Sequence, residues 1–254
     1  MNPEIKYHGH SCFEIIGKDR IIIDPFLKDN PVADIGPDDV EVDIIAVTHA
    51  HGDHLGDTKE IAQRTGATVV CIAEITWYLS QFEGIECVAM NMGGTVRVKN
   101  TDITMVRADH SSSLQTADGV IAGGQSAGLI IDSGFSVYHL GDTALFMDLK
   151  IYHVLYNPEV ILVPIGGHFT MGPKQAALAV EWLAPKLAIP MHYDTWDVIK
   201  QEPKMFVDFT ESVKHKRTSL AILKPGESLD PAPYLGNAES ETGGSSDPGP
   251  QEDA

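Results

Sequence analysis

The sequence predicts a mixed α/β fold. Thirteen short apolar or alternating runs, many rich in Val and Ile, are interleaved with five helix-like stretches in no strict βαβ order. Turn signals and apolar runs continue evenly to about Pro225 without a linker-like break, so the chain reads as one domain. Such a pattern calls for mixed sheets with helices on the outer faces, and a four-layer αββα sandwich is one arrangement that provides them.

The runs fall at 4–7, 11–16, 20–23, 43–48, 67–72, 85–90, 95–98, 102–108, 127–131, 136–140, 160–164, 187–190 and 219–223, and each reads as a strand. Helices are expected near 57–65, 75–81, 144–155, 173–183 and 203–214. Gly172-Pro173 opens one of these, because proline at the first helical position gives up an N–H that has no partner there. Trp182 and Leu183 read as the core-facing stripe of the same helix. The glycine-rich segment 119–126 lacks the Gly-Lys-Ser/Thr ending of a phosphate loop, and reads as a mobile turn near a site entrance.

Of 254 residues, 43% are hydrophobic and 21% charged, ordinary values for a chain that buries a sizeable core. The net charge of -18 works against binding nucleic acid or anionic membranes. No apolar run approaches the roughly 20 residues that span a bilayer, and the first residues lack the pattern of a signal peptide. Cys12, Cys71 and Cys87 are odd in number and widely spaced, which gives no disulfide framework and fits a reducing cytoplasm. The folded domain is expected over residues 1–228. Residues 229–254 are polar and acidic, and read as a disordered tail.

Chemistry concentrates where strands end. The run 43–48 leads into Thr48-His49-Ala50-His51-Gly52-Asp53-His54, which holds three of the eleven histidines. Imidazole and carboxylate are ligands for zinc and similar ions, and this spacing suits a tight loop rather than one helix face. Three further strands end in Asp109-His110, Gly141-Asp142 and Met191-His192. Junctions on one sheet edge converge in space although they lie far apart in sequence. Asp142 has a second reading, as the cap of a helix starting near Ala144.

With these residues, and with Gly9-His10-Ser11-Cys12-Phe13 and Phe169-Thr170-Met171-Gly172-Pro173, the chain resembles the metallo-β-lactamase superfamily over residues 4 to 225. Within it, the chain is most similar to a bacterial branch of hydrolases related to the ascorbate-6-phosphate lactonase. The resemblance implies the four-layer αββα fold and a centre of two divalent ions. His49, His51 and His110 would hold one ion, Asp53, His54 and His192 the other, and Asp142 would bridge them. A shared hydroxide would then attack an ester-like bond of a lactone, phosphodiester or amide in a small metabolite. Zinc leads for so nitrogen-rich a set, and manganese, iron or nickel tolerate the same ligands.

Asp53 is also a candidate to orient the nucleophile or take its proton, and His10 and His168 are candidates for substrate contact or proton transfer. Tyr193 and Trp196 are candidate pocket residues, His8 a weaker one, and His139, His153 and His215 read as structural or surface residues. The alternative is a redox enzyme of the iron-dependent dioxygenase type. His51 stands where the diiron branch carries Glu, and no flavin module follows residue 225, which favours hydrolysis. The intact ligand set speaks against a non-catalytic binding protein, and homo-oligomers are compatible with the sequence.

Overall fold

The computed structural model describes residues 2–213 and 218–236. Its first sheet contains β1 (Glu4–Gly9), β2 (Cys12–Ile16), β3 (Arg20–Ile23), β4 (Ile44–Ala46), β5 (Thr68–Ile72) and β6 (Cys87–Met90), side by side in chain order, with the strand Ser228–Leu229 added outside β1. Pairing is antiparallel from β1 to β3 and parallel from β3 to β6. Three helices, α1 (Gly52–Leu55), α2 (Thr58–Thr65) and α3 (Ala73–Leu79), lie in the connections of its parallel half.

The second sheet repeats this plan. It contains β7 (Thr95–Val98), β8 (Thr101–Arg107), β11 (Ala127–Asp132), β12 (Ser136–His139), β13 (Val160–Pro164), β14 (Leu187–Met191) and β15 (Ser219–Leu220), antiparallel up to β12 and parallel beyond it. Its helices are α4 (Leu149–Tyr156), α5 (Pro173–Leu183) and α6 (Pro203–Ser212). In the connection from β8 to β11 of this sheet runs a separate hairpin of β9 (Ser113–Thr116) and β10 (Gly119–Ala122).

Side-chain alternation builds the layers. Along β13, Val160 and Leu162 enter the core shared by the two sheets, while Ile161 and Val163 pack with Ala176, Ala179 and Val180 of α5. Successive residues of a strand face opposite sides, so a parallel strand covered on both faces is apolar throughout. Ile61 of α2 and Ile75 of α3 pack with the first sheet. The result is the expected mixed α/β sandwich, two sheets with helices outside.

Four local expectations change. The segment 119–126 is not simply a turn, because its first residues form β10, paired with β9 through Val120↔Gln115 and Ile121↔Leu114. The helix expected from 144 starts at Leu149; the N–H of Ala144 donates instead to the Asp109 carbonyl at 3.1 Å. The cluster 48–54 is not wholly a loop, since Gly52–Leu55 makes one helical turn. Residues 229–236, expected to be disordered, are folded: Leu229 pairs with Ile5, Pro231 is buried, and Ala232–Leu235 forms a short helix whose last carbonyl accepts from Lys186 Nζ at 2.7 Å. Leu229 and Leu235 pack against the core of the domain. The remainder of the tail, 237–254, and His215 lie outside the described residues.

Candidate metal centre

Both sheets deliver side chains to one place. After β4 come His49, His51, Asp53 and His54; after β8, His110; after β12, Asp142; after β14, His192. His49, His54, Asp142 and His192 are buried, and His51, Asp53 and His110 are partly exposed. Donor atoms of His49, His51 and His110 lie within 4.8 Å of one another, as do those of His10, Asp53, His54 and His192, and those of His49, His54 and Asp142. Asp142 joins the groups: its Oδ2 is 3.3 Å from His54 Nε2, 3.6 Å from His110 Nε2 and 3.0 Å from His192 Nε2. The N-cap position of the helix that Asp142 would have capped lies six residues later, at Asp148.

Gly141 brings Asp142 into position. Its φ of +64° lies in the left-handed region, and a Cβ there would collide with the Ala127 carbonyl oxygen. Side chains with the same backbone sign crowd this site: His10, Asp24, His192 and Asp194 have φ of 57°, 47°, 56° and 59°. Such conformations cost energy and persist where surrounding structure imposes them. Here the His192 N–H donates to the His10 carbonyl at 2.7 Å, and their rings lie 4.1 Å apart.

Asp24 sets the ring orientations. It is fully buried after β3 and accepts from Thr48 N at 2.8 Å, Thr48 Oγ1 at 2.6 Å and His54 Nδ1 at 2.7 Å. Since Thr48 Oγ1 gives its proton to Asp24, it accepts from His49 Nδ1 at 3.0 Å. Both imidazoles therefore carry hydrogen on Nδ1, which leaves Nε2 as the atom each can offer a metal ion, as metal-binding histidines do; His54 Nε2 faces Asp142, and His49 Nε2 lies 2.9 Å from His51 Nδ1.

Charges follow burial and neighbours. Burial holds the pKa of His49 well below its usual value, and lowers those of His51 and His110. For His54 burial opposes the charge, but the Asp142 and Asp24 carboxylates outweigh it and raise the pKa. Burial likewise opposes ionisation of Asp142, yet His192 and His54 hold its pKa well down. His54 Nε2, Asp142 Oδ1 and both ring nitrogens of His192 are buried without a hydrogen-bond partner. Buried polar atoms without partners are costly unless something satisfies them. Bare imidazole nitrogens converging on a carboxylate fit divalent cations.

The comparisons with known proteins agree with this chemistry. Residues 4–192 match the family described as "Beta-lactamase superfamily domain". The UPF0173 metal-dependent hydrolase of Methanopyrus kandleri is 49% identical over 230 residues, which cover 89% of this chain and 99% of the relative. The chain belongs to the UPF0173 family of metal-dependent hydrolases, within the metallo-β-lactamase superfamily.

Igni18, a metallo hydrolase from the hyperthermophilic archaeon Ignicoccus hospitalis, superimposes on this UPF0173 chain with a TM-score of 0.79 at 35% identity, covering 90% of this chain and 98% of that one. CmlA, a diiron β-hydroxylase from Streptomyces venezuelae, reaches a TM-score of 0.66 at 15% identity, over 90% of this chain and 54% of its own, and shows the fold alone.

All seven sequence-predicted ligands meet in this UPF0173 centre, whereas the other candidates part ways. His10 is fully buried and neutral, because burial and His192 bring its pKa down to about 4. Its Nε2 therefore donates to Asp53 Oδ2 at 3.1 Å, and its Nδ1 accepts from Thr195 Oγ1 at 2.8 Å. His10 positions Asp53. His168 is exposed between β13 and α5, its ring against Phe169 at 4.5 Å, and it belongs to none of the donor groups. Trp196 stands over His10 with ring centroids 4.9 Å apart, whereas Tyr193 is buried in the core beneath α5 and α6 and does not line a mouth.

His8 lies between Asp34 at 2.7 Å and Glu14 at 3.2 Å, away from the cluster. His139 donates to the Ser11 carbonyl at 2.9 Å and accepts from Gly141 N at 3.1 Å, a structural role as expected. Asp24 and Thr195 escaped the sequence reading. Ile21-Ile22-Ile23-Asp24-Pro25, an apolar run ending in a carboxylate, carried the signal for the first.

Proposed function

We propose that this hydrolase holds two divalent ions, zinc foremost, and cleaves an ester-like bond in a small metabolite in the cytoplasm. His49, His51 and His110 would hold one ion, Asp53, His54 and His192 the other, and Asp142 would stand between them. One observation carries the reading: Asp142 Oδ2 lies 3.0 to 3.6 Å from Nε2 atoms of histidines that follow three different strands. Bound there, the ions supply a water acidic enough to attack at neutral pH, and polarise the oxygen of the bond to be broken.

The chain's own groups do the rest. Asp24 and Thr48 hold His54 and His49 in their Nε2-presenting tautomers. Hydrogen bonding from His10 and the charge of His54 outweigh burial and keep Asp53 ionised, so its carboxylate is available as a metal ligand and to orient a water by accepting its hydrogen bond at the partly exposed side of the cluster. Trp196 and Phe26, 6.0 Å apart and both against His10, shield that side from water.

Lactones, phosphodiesters and acylated amines all suit such a centre, and the resemblance to the ascorbate-6-phosphate lactonase branch places lactones first. The redox alternative has only a shared fold in its favour. The test is turnover by zinc- or manganese-loaded protein against panels of these three substrate types. Turnover lost in His51→Ala supports the reading; turnover unaffected by that change, or seen only as oxidation with iron, overturns it.

A further inference from the structure

A cleft of about 310 Å³ opens directly beside His51. One wall is the metal loop and its single helical turn, with His51, Gly52 and Leu55; another is Tyr78 of α3; the third is the β9–β10 hairpin, with Gln115 and Val120. Gln115 and Val120 are directly opposed across the hairpin, so their side chains share one of its faces. Val120 is 68% exposed, a large apolar side chain left at the rim of a polar centre.

The hairpin joins neither main sheet, yet it is fastened to the metal loop. Ser112 Oγ accepts from the Ala50 N–H at 3.2 Å and donates to the Gly123 carbonyl at 3.1 Å. Gly123 permits this approach, since a Cβ there would collide with that of Ala50. Beneath, Leu114 is buried in the core. The wall is thus fixed at its root, between His49 and His51, and leaves apolar surface over the cleft.

None of the described residues lining the cleft is Asp, Glu, Lys or Arg. A phosphate or carboxylate seated there would lose its hydration without a countercharge, which is costly. At roughly 30 Å³ per water-sized group, the volume takes on the order of ten heavy atoms.

Resting on the hydrolytic reading above, we propose that this cleft binds the uncharged arm of the substrate, an acyl or alkyl chain of moderate length, and that Val120, Gln115 and Tyr78 set substrate choice. The cleft receives the arm, while the adjacent histidine centre holds the bond to be cut. Leu55, Tyr78 and Val120 give apolar contact; the Gln115 amide and Tyr78 hydroxyl offer hydrogen bonds to an uncharged polar group along the arm.

The test uses zinc-loaded full-length protein and p-nitrophenyl esters from acetyl to octanoyl. Burying each added methylene is worth about a two- to fourfold rise in kcat/KM, so the series climbs until the cleft is full. A succinyl ester, with a charged arm, falls at least tenfold below the butyryl ester, and Val120→Asp flattens the climb. A second measurement omits catalysis: hexanamide added to metal-free protein shifts the backbone amide resonances of Gly52, Leu114 and Val120.

Esters cleaved with no dependence on chain length, and equally in Val120→Asp, overturn the cleft while leaving the hydrolytic reading intact. Hexanamide shifts at those three amides with no ester cleaved support the cleft and count against the hydrolytic reading. Absence of the shifts overturns the cleft.

Discussion

His54 gives its Nδ1 proton to Asp24 at 2.7 Å and presents Nε2 to Asp142 at 3.3 Å, so one imidazole links a fully buried carboxylate to the centre of the cluster. Asp24→Asn tests that link. Asparagine tolerates the left-handed backbone of position 24, so the change removes charge with little strain. Partners behind metal-bound histidines are worth about 10- to 100-fold in metal affinity. Zinc affinity by chelator competition should fall by about that factor, with the fold intact by circular dichroism; unchanged affinity would contradict the role given to Asp24.

Asp142→Ala removes the one oxygen within reach of His54, His110 and His192. The variant should retain at most one ion per chain and lose about a hundredfold or more of any hydrolytic rate, on the scale of losing a preorganised charged group. Metal analysis beside the activity assay separates loss of ions from misfolding.

Gly141→Ala asks whether the backbone places Asp142. A left-handed backbone at a non-glycine residue costs on the order of 1–3 kcal/mol, and the collision with the Ala127 carbonyl adds to it. The urea midpoint should drop accordingly, whereas Gly66→Ala, where a Cβ meets nothing within 4 Å, should cost less. Equal losses would contradict the close approach at Gly141.

Acid should destabilise the metal-free protein. Burial lowers the pKa values of His10, His49 and His139 from the usual 6.5, and the folded state resists the protons that the unfolded chain accepts. Their contribution is fully present above pH 6.5 and is lost as pH falls towards the folded values, by up to about 1.4 kcal/mol per pH unit for each. His54 is shifted upward, so its contribution grows as pH falls from 7.5 to 6.5 and is complete below 6.5, where it no longer opposes the loss. Urea unfolding with chelator from pH 6.5 to 5 should show falling stability; a flat profile would contradict it.

The residues that announced the centre are those close together in sequence. His49, His51, Asp53 and His54 span six positions, and His110, Asp142 and His192 each follow an apolar strand by a few residues. Pairing order, which the sequence does not show, brings these strand ends together. Thr195 was invisible because its partner His10 is 185 residues away. The β9–β10 hairpin was hidden for another reason: glycines at 119, 123 and 124 look like a turn, and the exposed Val120 and Ile121 carry no burial pattern. The folded part of residues 229–236 was missed because the strand Ser228–Leu229 is held by two residue pairs with β1, too little to leave a periodic signal.

The central claim is a two-ion centre, and counting and locating the ions tests it most directly. Protein stripped with chelator, reloaded with zinc and crystallised should hold two ions per chain by elemental analysis. Anomalous scattering should place one among His49, His51 and His110, and the other among Asp53, His54 and His192, with Asp142 reaching both. Fewer than one ion per chain after reloading, or ions bound away from Asp142, would contradict the account.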